Sequence, residues 1–236
     1  MREEFMREEF VREKFIREES MREEFRMSRE FLLIVITSPR DIPGEVEMLK
    51  GLLEAGLERL HLRKPGRSVE GLLARLAPRW GKRVVVHGDA ELAARYGVGR
   101  VHRVNSTSVH SWEEFRGLPP GLEYAFISPV FDSISKPGYR ANGELLGIPP
   151  GPLPCRPVGL GGVSADTIGL MVARGWTGAA VLGWIWEQPG EAVSRFEQIK
   201  KITDGQARGI DGQAGGLDGQ ARGLDGQAEG LGGGGL

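Results

Sequence analysis

A chain of 236 residues with a formal charge of −1 carries no excess of one sign that would draw it to nucleic acid or to an anionic membrane surface. No segment joins a basic start to an apolar run and a cleavage site, and none has the roughly 18 apolar residues of a membrane span. The single Cys155 excludes an intramolecular disulfide and fits a reducing cytoplasm. Beside Pro154 it reads either as a buried thiol at a strand end or as a reactive nucleophile.

Residues 1–29 repeat a pentad, Met1-Arg2-Glu3-Glu4-Phe5 and then Met6-Arg7-Glu8-Glu9-Phe10. A period of five matches neither the helical nor the strand repeat, so no apolar face forms. Glu3 with Arg7 has the favourable helical order at i,i+4, which suggests a solvated helix. Phe31 to Ile36 is a continuous apolar run, as in a strand buried on both faces. Glu45 to Ala55 has helical spacing and stops at Gly56, a residue suited to the left-handed position after a helix. Glu58 to Leu62 is the next strand and Val69 to Leu76 the next helix; Val84 to Val86 and Glu91 to Tyr96 repeat the unit. Further strands fall at Ala125–Ile127, Pro157–Leu160 and Ala179–Leu182, with helices at Ala165–Arg174 and from about Glu191 to Ile202. Residues 204–236 repeat a heptad with one large apolar residue and two or three glycines, too few apolar positions for a coiled-coil seam, and read as disordered.

Strands alternating with helices over residues 30–203 imply a parallel α/β sheet. So many units in so few residues favour a compact (β/α)8 barrel over an open doubly wound sheet. Function in a barrel sits where strands end and the following loops begin. Those positions hold His61, Arg63 and Lys64 after the second strand, His87 after the third, and Ser108 and His110 in the middle. Ser133, Ser135 and Lys136 follow the sixth strand, Gly161 and Gly162 the seventh, and Gly183 the eighth. Taken singly, a glycine pair is equally a tight turn and an Arg-Lys pair a solvated corner. Their coincidence at one rim points to a phosphate, which backbone N–H groups at helix starts and cationic side chains would hold.

The stretches "HLRKP", "SVHSWEE", "FISPVFDSISKPGY", "GLGGV" and "AAVLGWIW", in that order, resemble the thiamine phosphate synthase and TenI-like superfamily of (β/α)8 barrels over residues 31–202. The resemblance implies that Arg63 contacts a pyrimidine pyrophosphate and that His61 stands where a glutamine is common. It implies that Ser133, Ser135 and Lys136 hold a thiazole and its carboxylate, and that Gly162, Leu182 and Gly183 cradle the thiazole phosphate. It also implies that His110 is the general acid/base of a thiazole tautomerase.

Two departures from that family bear on the chemistry. Gly88 falls where a synthase has the first of two magnesium-binding aspartates, and no carboxylate occurs between Glu91 and Glu113, so Mg²⁺ lacks its usual anchors. Asp89 reads as a displaced ligand or as a helix N-cap. The stretch Arg100–His110 must also hold what the family spreads over a strand, a helix and a strand, although a parallel crossover takes roughly 10–12 residues. Either the fourth helix is reduced to a turn or the barrel is incomplete there. The sequence therefore suggests a cofactor-free tautomerase acting on thiazole carboxylate phosphate through His110. The alternatives are a Mg²⁺-dependent thiamine phosphate synthase, with Arg63 and Lys64 on the pyrophosphate, and a non-catalytic barrel that binds a phosphorylated ligand.

Overall fold

The computed structural model describes residues 30–134, 138 and 140–205. The N-terminal repeat, and all but the first two residues of the C-terminal one, lie outside the described residues, as do the expectations placed on them.

Eight parallel strands close a barrel in sequence order: β1 Leu32–Ile36, β2 Arg59–Leu62, β3 Val84–His87, β4 Val101–His102, β5 Ser106–Val109, β6 Tyr124–Ile127, β7 Arg156–Leu160 and β8 Gly178–Val181. The helices around them are α1 Glu45–Glu54, α2 Glu70–Trp80, α3 Ala90–Arg95, α4 Trp112–Arg116, α5 Ala165–Ala173, α6 Gly183–Trp186 and α7 over residues 192–205. β1 pairs with β8 from Leu32 opposite Gly178 to Val35 opposite Val181, which closes the ring.

The pleat turns successive side chains to opposite faces. Leu32, Ile34 and Ile36 point into the barrel with Tyr124, Phe126, Val158 and Ala180. Leu33 and Val35 join Leu60, Val84, Val86 and Ala179 beneath the helices, where Leu49, Leu53, Leu73 and Phe196 cover them. All five residues of β1 are buried, which is why its apolar run is unbroken. α5 starts at a capping box: Ser164 Oγ accepts from the helix start while Thr167 Oγ1 accepts the Ser164 N–H at 2.9 Å, satisfying donors a helix start otherwise leaves open.

The fourth unit settles the question of closure. β4 has two residues, Val101 and His102, and its helix is replaced by the turn Arg103-Val104-Asn105, after which β5 runs parallel with His102 opposite Ser106. Two residues of strand rise only about 7 Å, so one loop of chain can retrace them. The Asn105 and Val104 N–H groups both donate back to the Val101 carbonyl, at 3.0 and 3.1 Å. Asn105 Oδ1 accepts from Val101 N at 2.9 Å, and the Glu123 N–H donates to the Asn105 carbonyl at 2.9 Å. Arg103 makes the reversal with φ 77°, a left-handed conformation that costs a non-glycine residue about 1–2 kcal/mol.

Candidate active site

A cavity of about 790 Å³ lies at the C-terminal ends of the strands. Arg63 and Arg103 supply positive charge to it, and no carboxylate stands among its described lining residues. Low-dielectric walls with cations of one sign concentrate an anion.

His110 stands at the rim, just beyond β5. Ser111 caps α4 by accepting the Glu114 N–H at 3.1 Å, and Glu114 Oε2 in turn accepts the His110 N–H at 2.8 Å. That clasp fixes the backbone of His110. Its Nδ1 lies 3.0 Å from the Ser128 carbonyl; a carbonyl only accepts, so Nδ1 carries the hydrogen and neutral His110 keeps its lone pair on Nε2. The side chain is exposed to the cavity mouth.

Ser108, His87, Ser133, Gly161, Gly162, Leu182 and Gly183 all line the cavity, as the sequence leads one to expect. Gly161 and Gly162 have φ 99° and 64°. A Cβ on Gly162 would meet the Asp132 carbonyl oxygen at 2.3 Å, so the pair lets the loop after β7 press against the loop after β6. Leu182 precedes α6, whose first N–H groups have no partner within the helix. Trp186 Nε1–H donates to the Ile36 carbonyl at 2.7 Å and anchors α6 to the end of β1. Ser135 and Lys136 lie outside the described residues.

Two expected residues, Lys64 and His61, are placed elsewhere. Lys64 is buried away from the cavity, where its Nζ donates to both Glu45 carboxylate oxygens at 2.7 Å and to the Arg40 carbonyl at 2.7 Å; a lysine held in a buried ion pair does not serve the rim. His61 lies fully buried beneath the floor, against the lining residues His87, His102 and Phe126. Asp89 caps α3, accepting the Leu92 N–H at 2.8 Å on Oδ1, which agrees with the N-cap reading of that residue. Cys155 is half-buried and burial pushes its thiol up to about 11, the direction of a structural thiol and not of an activated nucleophile. The tryptophans pack: Trp112 lies against Trp176 at 5.6 Å and Trp184 under Arg195 at 5.0 Å.

The floor holds what the sequence reading missed. His102 of β4 stacks on His87 at 4.3 Å, and Arg103, Thr107 and Ser128 complete the lining. His61 Nδ1 is 2.8 Å from His87 Nε2, His61 Nε2 is 2.6 Å from the Tyr124 hydroxyl, and His102 Nδ1 is 2.9 Å from Ser106 Oγ. Burial, then His87 and His102, holds His61 well below its ordinary value. Burial, then His102, Arg63 and Arg103, lowers His87 to about 3. Burial, then Arg103 and Arg63, lowers His102 to about 4. All three are neutral at pH 7.

No family model matches the chain. The barrel is similar to that of thiamine phosphate pyrophosphorylase from Bacteroides thetaiotaomicron, at 24% sequence identity and a TM-score of 0.57 over 73% of this chain and 97% of that one. Thiamine phosphate pyrophosphorylase from Pyrococcus furiosus matches at 18% identity and a TM-score of 0.58, over 75% and 97% of the two chains. A 3-hexulose-6-phosphate synthase matches at 15% and 0.53, over 72% and 98%. At these identities the likeness establishes the (β/α)8 fold, which hosts many reactions. No helix among the described residues is long and apolar enough to cross a membrane.

Proposed function

We propose that the barrel binds thiazole carboxylate phosphate and catalyses its tautomerisation. His110 Nε2 takes a proton from one atom of the ring system and returns it to another, with no net change in protons or electrons. The observation that carries the reading is the His110 Nδ1–H···Ser128 carbonyl contact at 3.0 Å, which aims a neutral imidazole lone pair away from the backbone, as a general base requires. The Gly161-Gly162 and Leu182-Gly183 backbone would hold the phosphate, Arg63 and Arg103 would supply charge, and Ser133 with Ser135 and Lys136 would orient the carboxylate. No cofactor enters this chemistry. A thiamine phosphate synthase is the second reading, favoured by two arginines in one cavity and by the names of two of the similar structures. Departure of its pyrophosphate leans on Mg²⁺, for which the described lining offers no carboxylate.

The test is product analysis by NMR of the full chain with thiazole carboxylate phosphate, with and without Mg²⁺ and hydroxymethylpyrimidine pyrophosphate. Metal-independent tautomerisation, lowered about 10²–10⁴-fold in His110→Asn, is the expected result. Mg²⁺-dependent thiamin phosphate would establish the synthase instead, and ligand stabilisation without turnover a binding barrel.

A further inference from the structure

Three imidazoles from three successive strands converge under the cavity: His61 of β2, His87 of β3 and His102 of β4. One ring nitrogen from each lies within 4.8 Å of the other two. The proton transfer assigned to His110 uses none of them. Burying three imidazoles costs free energy unless their nitrogens are satisfied, and two of the rings have one nitrogen already held. The Tyr124 hydroxyl meets His61 Nε2 at 2.6 Å, and Ser106 Oγ meets His102 Nδ1 at 2.9 Å. Outer partners of this kind orient imidazole ligands and set their tautomer at metal sites.

His61 Nδ1 and His87 Nε2 lie 2.8 Å apart and share a single hydrogen, while His102 Nε2 has Ser108 Oγ at 3.4 Å. A tetrahedral ion about 2.0–2.1 Å from each nitrogen separates its ligands by roughly 3.3 Å. The His61–His87 pair would open by about 0.5 Å and His102 would draw in.

We infer that His61 Nδ1, His87 Nε2 and His102 Nε2 form a three-histidine site for a divalent transition metal of the zinc class, with its fourth position open to the cavity beside Arg63 and Arg103. Imidazole ligands select zinc, copper, nickel or iron over Mg²⁺ and Ca²⁺, which take oxygen donors. This site is therefore not the magnesium site of the synthase reading. Three neutral ligands leave the ion's full charge next to two guanidinium groups, so the exchangeable ligand is an anion, either hydroxide or an oxygen of a phosphorylated substrate.

The experiment is titration of the full chain, stripped with a chelator and desalted, with Co²⁺ and then Zn²⁺, followed by visible absorption and calorimetry. One equivalent of Co²⁺ should give the intense visible bands of a tetrahedral ion, and Zn²⁺ should displace it. Inorganic phosphate should alter those bands; an unaltered spectrum would overturn the open fourth position. His87→Ala and His102→Ala should abolish binding, with circular dichroism confirming that they fold. Tyr124→Phe keeps all three ligands and should bind about 10–100-fold more weakly, which tests the site if the alanine variants do not fold. His110→Asn should bind metal as the native chain does, so failure of the tautomerase reading and failure of the metal site give different results. No cobalt bands in the folded native chain, or bands that survive His87→Ala and His102→Ala, would overturn the inference.

Discussion

Across the barrel axis, β1, β7 and β8 fill the interior with Leu32, Ile34, Ile36, Val158 and Ala180, whereas β2 to β5 bring His61, His87, His102 and Ser106 to the same space. The first half follows the usual barrel rule of bulky apolar layers. The second is held by hydrogen bonds, and Phe126 separates the two, 4.9 Å from His61 and 5.7 Å from His102. The polar half also contains the shortened fourth unit and the left-handed Arg103. The difference teaches that the interior of this barrel is filled by apolar bulk on one side and by hydrogen-bonded imidazoles and hydroxyls on the other.

The largest effect that would sharpen this division comes from the apolar side. Ile34→Ala should cost about 2–5 kcal/mol in denaturant unfolding while leaving ligand affinity intact once folded; a variant that loses affinity without losing stability would break the division. On the polar side, His61→Leu should cost about 1–3 kcal/mol, because His87 Nε2 loses its partner and the Tyr124 hydroxyl loses one of two, keeping Ser106. Adding Tyr124→Phe should return part of that loss, since it removes a hydroxyl that has lost one of its two partners. If the double variant is merely the sum of two losses, the histidine half is held by packing instead.

Acid should act through the same half. His87 at about 3 and His102 at about 4 lie below the roughly 6.5 of an unfolded chain, so the unfolded state binds more protons at low pH. Their contribution to stability is complete above about pH 6.5 and is lost as the pH falls toward 4 and 3. Unfolding midpoints at pH 7.5 and pH 5 measure this, and equal midpoints would refute it. The smallest expected change is Arg103→Gly. Relief of the left-handed conformation should stabilise the fold by up to about 1 kcal/mol, while loss of the guanidinium weakens phosphate binding. A variant that binds phosphate as well as the native chain would remove Arg103 from the site.

The apolar half was legible in the sequence because unbroken runs such as Leu32–Ile36 signal burial on both faces whatever their neighbours. His87 and the glycine loops were legible as well, since strand ends place them at the rim; Ser108 and His110 came from a stretch in which no strand was read, and the role of His110 from the family resemblance. The polar floor was not. Reading residues 100–110 as a compressed unit suspended the alternation that would have sent His102, Ser106 and Ser108 to one face of β4 and β5. Lys64 was misplaced because a lysine next to a rim arginine carries no signal of direction, and its partner Glu45 lies 19 residues earlier on α1. Asp89 shows the reverse case: a carboxylate opening a helix already favours a cap over a metal ligand, and the Leu92 N–H contact bears that out.

The most direct test of the whole account is NMR of thiazole carboxylate phosphate incubated with the full chain and with His110→Asn, without added Mg²⁺ and without the pyrimidine. The account predicts conversion between tautomers by the native chain and a drop of about 10²–10⁴-fold in the variant, with unfolding midpoints matched. Equal conversion by both chains, or none by either, would contradict it.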